Sequence, residues 1–424
     1  TEANTPNFSP QLLREYFDHL FPYKEMFRWL SYGNDPESSS ALTDKNYFRN
    51  REFSFTLEDD IYVRYRSFAN KEEFRQAVLQ RCPIKIDIGA VYNAPPTMHN
   101  SVNFFPKEKE LVFDIDMTDY NNVRFCCDEA NICGLCWPFM TAAIKVLDAA
   151  LREDFGFEHL LWVYSGRRGV HCWVCDERAR HLSNDARSAI VTNLTVALGG
   201  GQNDAEQLIN MHPAIQRAYD ILEPYFVQVC VKNQGLFDRP ERWLKVLEMV
   251  PHSELRETLV KKWETSELSG MDRWIQLKKS VDVWSGKKPT KDAVGKNDKQ
   301  GIFLKACIAE IIFAHIYPRL DANVSKQLHH LLKSPFVVHP KTGRVCVPID
   351  PSDCDNFHPT DVPSLRRLHA ELNDKAVTPD QSGDIGKNTS MKPYLQFFRQ
   401  SFLAPMIKEQ SLKNRDIAMQ QLDF

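Results

Sequence analysis

Nowhere does this chain run 18 apolar residues together, so a membrane-spanning helix is not expected. Its opening, "TEANTPNFSPQLLREYF", has no apolar core of the kind a secretory leader needs. The P-loop signature is missing as well: "GGGQND" at 199–204 lacks the Lys-Ser/Thr end and reads as a flexible loop. There is no internal repeat. Nor is there an excess of positive charge, because 53 Lys and Arg stand against 56 Asp and Glu, a formal net charge of −3. A globally basic nucleic-acid binder is thereby excluded, and any polyanion-binding surface has to be a local patch.

What is present is enough for a substantial core: 43% hydrophobic and 26% charged residues over 424 positions, with 26 Phe, 13 Tyr and 8 Trp. Such a length suits two or three lobes. Eleven cysteines without a leader point to a reducing compartment, hence to free thiols or metal ligands rather than disulfides.

Ser9-Pro10 reads as a helix N-cap and first helical position, followed by Leu12, Leu13, Tyr16, Phe17, Leu20 and Phe21 at helical spacing. From residue 50 the texture changes to strands, in "REFSFTLEDDIYVRYRSF", "IKIDIGAVY" and "LVFDIDM". "WPFMTAAIKVLDAALREDFGF" reads as a helix ending near Gly156. "HLLWVYSGRRGVHCWVCD" reads as two strands joined by a Gly-Arg-Arg-Gly loop. Helical texture holds from about 182 to 300, and strand-like texture returns in "RLDANVSKQLHHLLKSPFVVHPKTGRVCVPID". The predicted organisation is a core of residues 1–182 and 301–370, a helical insertion at 183–300, a flexible polar linker at 371–392 and a helical segment at 393–424. That last segment is expected to fold back or to reach a partner.

Three constellations carry chemistry. Cys126, Cys127, Cys133 and Cys136 place four thiols within eleven residues, which suits a tetrahedral structural zinc site in a loop too short to own a core. An iron–sulfur cluster shares the ligand type, but adjacent cysteines are not the ferredoxin spacing. Cys172 and Cys175, on opposite faces of a predicted strand, are assigned to packing. Asp114 and Asp116 form D-x-D within a strand whose Leu111, Phe113, Ile115 and Met117 share the other face. Two carboxylates so close repel unless a cation lies between them, and Mg²⁺ takes such oxygens together with substrate phosphates. D-x-D also occurs in glycosyltransferases and as ordinary surface pairs, and Asp119 falls just past the strand. "SGRRGVH", Ser165 to His171, offers two guanidiniums and turn amides to a triphosphate. A solvated hairpin tip is the plainer alternative. Asp321, in a strand-like setting, could supply a third carboxylate, with Lys333, Ser334, His339, Lys341 and Arg344 following, while His329 and His330 are assigned to packing or solvent.

Taken together, these residues resemble the catalytic small subunit of eukaryotic DNA primase, in the archaeo-eukaryotic primase family, over most of residues 10–365. The resemblance implies a mixed α/β (α+β) fold: a mixed-sheet catalytic core with a zinc motif and an inserted helical subdomain. It implies catalytic Asp114, Asp116 and Asp321 holding two Mg²⁺ or Mn²⁺ ions, and a structural Zn²⁺ on the four clustered cysteines. It implies nucleotide contacts from Tyr62, Arg64, Lys85, Asp87, Ser165, Arg167, Arg168, His171, Lys333 and His339, with Asp87 reaching the ribose hydroxyls. The partners implied are NTPs, a single-stranded DNA template and its RNA/DNA hybrid, a large iron–sulfur subunit and a replicative DNA polymerase, in the nucleus and with no membrane. The basic run Lys287-Lys288 is too short to argue location from. A D-x-D glycosyltransferase and a non-catalytic, zinc-stabilised nucleic-acid-binding subunit are the alternatives.

Overall fold

A computed structural model describes residues 8–34, 43–195, 212–286, 297–374 and 388–422. The loop 199–204, Lys287-Lys288 and most of the linker, 375–387, lie outside the described residues. Helices and antiparallel sheet are combined in two compact units: Thr1–Asp114, Phe157–Val191 and Asp321–Phe424 form one, and Ile115–Gly156 with Thr192–Leu320 the other. Among the described residues no helix is long and apolar enough to cross a membrane.

The first unit is built on β-strands. β1 (Arg51–Thr56) pairs with β2 (Tyr62–Arg66) on one side and β3 (Lys85–Tyr92) on the other, and β4 (Pro106–Glu108) and β8 (Leu332–Lys333) both pair with β3. Alternation decides which side of this sheet is core. Phe53 and Phe55 are buried against Phe68 and Phe74, which turns Glu52 and Ser54 to the opposite face. A second sheet runs in the order β5 (Leu111–Asp116), β7 (Gly169–Val174), β6 (Leu160–Tyr164), β9 (Pro348–Ile349). β6 and β7 are buried along their whole lengths, so they read as apolar runs rather than as alternating strands.

Helices close this unit. Ser9 accepts the Leu12 N–H at 3.2 Å, capping Pro10–His19 as its spacing predicts, and Tyr16 Oη donates to the Phe336 carbonyl at 2.7 Å. The C-terminal segment Lys392–Leu422 folds back: Phe398 and Phe402 meet Trp29, and Arg399 pairs with Glu25 at 2.8 Å.

Two expectations fail here. Residues 319–350 are not mainly strand: they contain a short helix, Ala322–Lys326, and only the two-residue strands β8 and β9. Asp321 therefore sits at a helix N-cap, accepting the Asn323 N–H at 3.0 Å, and not in a strand. Helix also extends past 300, because Asn297–Ile316 is continuous.

The second unit is mostly helical. Phe226, Phe237, Trp243, Trp263 and Trp274 form its aromatic centre. Between β5 and the helix Pro138–Glu153 it carries the cysteine loop.

Candidate active site

The turn between β6 and β7 is held from several directions. Gly169 donates its N–H to Ser165 Oγ at 3.0 Å, and Ser165 donates its own N–H to the Gly169 carbonyl at 2.9 Å. Lys333 Nζ donates to the Ser165 carbonyl at 3.2 Å, Thr342 Oγ1 to the Gly166 carbonyl at 2.7 Å, and Tyr164 Oη to the Arg167 carbonyl at 3.0 Å. Gly166 has φ of 87°, and a Cβ there would lie 2.6 Å from His339 Cβ and 3.0 Å from Cys346 Sγ. Only glycine fits, so residues 165–168 and 333–344 form one assembly.

That assembly concentrates positive charge. Burial, and then the nearby Lys333, Arg167, Lys85 and Lys341, hold the His339 imidazole down at about 3. Its Nδ1 accepts the Lys341 N–H at 3.1 Å, which places the proton of the neutral ring on Nε2 as a hydrogen-bond donor. Cations gathered this closely repel one another unless an anion joins them, so the cluster suits an anionic ligand.

Asp114 and Asp321 belong to the same unit as this assembly. Asp114 and Asp116 alternate with buried neighbours on β5 and are both half-buried. The Asp321 N–H donates to the Asp114 carbonyl at 3.1 Å, so a residue some two hundred positions away is fastened to the D-x-D strand. His171 Nε2 lies 3.6 Å from Asp114 Oδ1. Asp116 Oδ1 accepts both the N–H of Thr118 at 2.8 Å and its Oγ1–H at 2.6 Å, which fixes that carboxylate as the cap of Met117–Tyr120. Asp119 lies within this turn, past the strand.

The first sheet contributes the other candidates. Asp87 is opposite Ser54 on β1 and Lys333 on β8, and accepts from Ser54 Oγ at 3.0 Å. Burial raises its carboxyl above the ordinary range, against the lowering pull of Ser54, Lys333, Lys85 and His330. Lys85 starts the same strand, Tyr62 is half-exposed at its edge of the sheet, and Arg64 is bound by Glu52. Sequence reasoning does not single out Ser54, Glu52 or His330 as site residues. The signal for the first two is alternation: in "REFSF" the polar residues share the face on which "KIDIG" places Asp87. His330 has no such pattern; its place beside Asp321, Arg64 and Asp87 emerges only in three dimensions.

Within the second unit, Sγ atoms of Cys126, Cys127, Cys133 and Cys136 all lie within 4.8 Å of one another. A tetrahedral metal with bonds of about 2.3 Å needs sulfurs about 3.8 Å apart, so the four thiols fit a metal ion. Cys133 and Cys126 are 3.6 Å apart, and Gln234 Nε2 donates to Cys126 Sγ at 3.3 Å. Cys172 and Cys175 belong to the first unit and are buried there, as packing requires.

A strand-borne carboxylate pair, a further aspartate whose backbone is bonded to that strand and cations on and beside the β6–β7 hairpin are the residue types that phosphoryl transfer on nucleotides uses. A family model described as DNA primase small subunit matches residues 113–351. The chain is 40% identical to the DNA primase small subunit of Schizosaccharomyces pombe over 93% of its own length and 89% of that protein. It is 41% identical to the Drosophila melanogaster protein over 88% and 83% of the two chains, and 32% identical to the Saccharomyces cerevisiae protein over 96% and 94%. The chain belongs to the DNA primase small-subunit family.

Proposed function

We infer that this chain is the catalytic subunit of a primase, joining ribonucleotides from NTPs on a single-stranded DNA template to make RNA primers for replication, with Asp114, Asp116 and Asp321 at the reacting centre. The hydrogen bond from the Asp321 N–H to the Asp114 carbonyl, 3.1 Å, supports this most. It anchors the backbone of the residue that carries the third carboxylate to the strand that carries the first pair. A glycosyltransferase or a non-catalytic subunit could also carry D-x-D, but membership of this family disfavours both.

Asp114, Asp116 and Asp321 would hold two divalent ions, Mg²⁺ or Mn²⁺, which when bound lower the pKa of a primer 3′-hydroxyl and offset charge on the leaving pyrophosphate. The protein's own part is binding and orientation. Arg167, Arg168 and Lys333 would neutralise the triphosphate, with the turn amides and Ser165 assisting and neutral His339 donating from Nε2. His171, beside Asp114, would contact the phosphates from the other end of the turn. Asp87, kept less acidic than an exposed carboxyl by burial, would meet the ribose hydroxyls, with Tyr62, Arg64 and Lys85 lining the nucleotide. Base pairing supplies sequence, so the protein would grip template and hybrid by backbone and shape.

The four clustered cysteines would hold a structural Zn²⁺. Association with a large iron–sulfur subunit and a replicative polymerase, and a nuclear location, join this proposal on the family resemblance. Templated primer extension with Asp114→Ala is the test. Synthesis should be lost with the melting temperature kept, and wild-type-like elongation at saturating Mn²⁺ would contradict the metal assignment.

A further inference from the structure

Glutamine is mostly a surface residue, because its amide offers two N–H donors and two acceptor positions that burial must satisfy. Gln234 is only 3% exposed, and all four positions are taken by the cysteine loop and its entry, within the same unit. Its Oε1 accepts the backbone N–H of Phe125 at 2.6 Å and that of Cys126 at 3.1 Å. Its Nε2 donates to Cys126 Sγ at 3.3 Å and to the Leu135 carbonyl at 3.2 Å. Turning the amide over would set its N–H groups against two backbone N–H donors, so the surrounding backbone fixes which atom faces the sulfur.

The placement of Gln234 is itself secured from several sides. It directly follows the helix Phe226–Asn233, whose wide π-type turn is a geometry concentrated at functional sites. Asn233 Nδ2 joins it on the Leu135 carbonyl, also at 3.2 Å. The chain then turns at Gly235, and Arg242 Nη1 donates to the Gln234 carbonyl at 2.8 Å and the Gly235 carbonyl at 3.1 Å. The same guanidinium lies 4.1 Å from the centre of the Phe125 ring, so Arg242 holds both the glutamine and the residue before the first cysteine. Four thiolates around a divalent ion would leave two net negative charges in this unit, and donors to sulfur disperse such charge while orienting each ligand. Cys136 Sγ has the Cys133 N–H at 3.2 Å, with Arg124 Nη1 at 4.0 Å. Cys126 Sγ has Gln234, which reaches it from 108 positions along the chain.

We propose that Gln234 is a positioning residue for the metal of the cysteine site, acting through an N–H···S hydrogen bond to Cys126. It also ties the two ends of the loop, Phe125–Cys126 and Leu135, to one amide. The proposal rests on the reading of the four cysteines as a zinc site. Gln234 is not a metal ligand; its work is to hold Cys126 in place and to temper the charge on its sulfur.

The test uses the full chain as wild type, Gln234→Glu and Asn233→Ala, at about pH 8, where a glutamate is ionised. Gln234→Glu keeps an acceptor for the two backbone N–H groups and replaces the donor to sulfur by an anion. Asn233→Ala removes the neighbouring bond to Leu135 and leaves Cys126 alone. Zinc affinity is measured by chelator competition, and the sulfur-to-metal charge-transfer band is recorded on the Co²⁺-loaded chains. Gln234→Glu should weaken zinc by roughly tenfold to a hundredfold. Its band should move to longer wavelength, because a sulfur that has lost a hydrogen bond gives electron density to the metal more readily. Asn233→Ala should change neither. Unchanged affinity and band in Gln234→Glu, or an equal loss in Asn233→Ala, would overturn the proposal and leave Gln234 a packing residue. If Gln234→Glu does not fold, the wild type loaded with NMR-active cadmium decides. A Gln234 side-chain amide proton should then couple to the metal through Cys126 Sγ; its absence, with the Cys133 N–H coupled through Cys136, overturns the proposal. A wild-type chain that binds neither zinc nor cadmium would instead refute the zinc reading on which the proposal stands.

Discussion

His339 titrates in the company of Lys333, Arg167, Lys85 and Lys341, with burial as the larger cause of its depression to about 3. An ordinary imidazole titrates near 6.5. Between these values the unfolded chain takes up a proton that the folded chain refuses. The stability this group contributes is therefore complete above about pH 6.5 and is lost as pH falls toward 3. A triphosphate bound there would reverse the local field. Followed by NMR, the His339 imidazole of the free protein should stay neutral down to pH 5, and pyrophosphate should move its titration upward. A free-protein midpoint near 6.5 would remove the cation cluster from the account. The residue scale is also where sequence did best for the candidates with a local signature, such as Asp114 and Asp116 at alternate strand positions. It did worst for Glu52, whose hydrogen-bond partners lie 12, 13 and 40 positions away.

The hairpin of β6 and β7 is the element on which the phosphate side depends. Gly166→Ala must adopt a left-handed backbone and place a methyl group against His339. It should cost about 1–3 kcal/mol of stability and raise KM for NTP, measured by denaturant unfolding and primer extension. An unchanged KM would separate the turn from the phosphates. The cysteine loop is too short to fold on its own contacts, so its order should depend on its ligand. The purified chain should carry one zinc, Cys133→Ser should lose it, and a strong chelator should lower the melting temperature; a chain without metal that melts unchanged contradicts a structural zinc. The hairpin, the D-x-D strand and the Ser9-capped helix were legible because each is specified within a dozen residues. Residues 319–350 were not. There the chain alternates in composition but runs irregularly, its backbone bonding to β3, Tyr164 and Asp114 and its Lys333 side chain to the Ser165 carbonyl, instead of to a long neighbouring strand.

At the scale of the molecule, what no local pattern contained was assembly. β1, β3 and β8 come from three separate stretches, yet they set Ser54, Asp87 and Lys333 side by side. The D-x-D strand meets Asp321 across a long stretch of intervening chain. Residue type offered Asp321, Lys333 and His339 as candidates and the family resemblance implied a role for each, but spacing alone could not join them. A chain of net charge −3 that grips a nucleic acid must do so through a local patch. Primer–template affinity should therefore fall linearly with the logarithm of salt, with the same slope for templates of different sequence. A slope that changes with sequence would indicate base readout by the protein.

The central claim is that one centre, with Asp321 fastened to the D-x-D strand, joins ribonucleotides on a DNA template. The most direct measurement is incorporation on homopolymer DNA by the wild-type chain and by Asp321→Asn, with melting curves for both. The account predicts that the wild-type chain incorporates the complementary ribonucleotide alone, and that Asp321→Asn loses about a hundredfold or more in rate with its melting temperature unchanged. Wild-type rates from Asp321→Asn, or incorporation indifferent to the template, would contradict it.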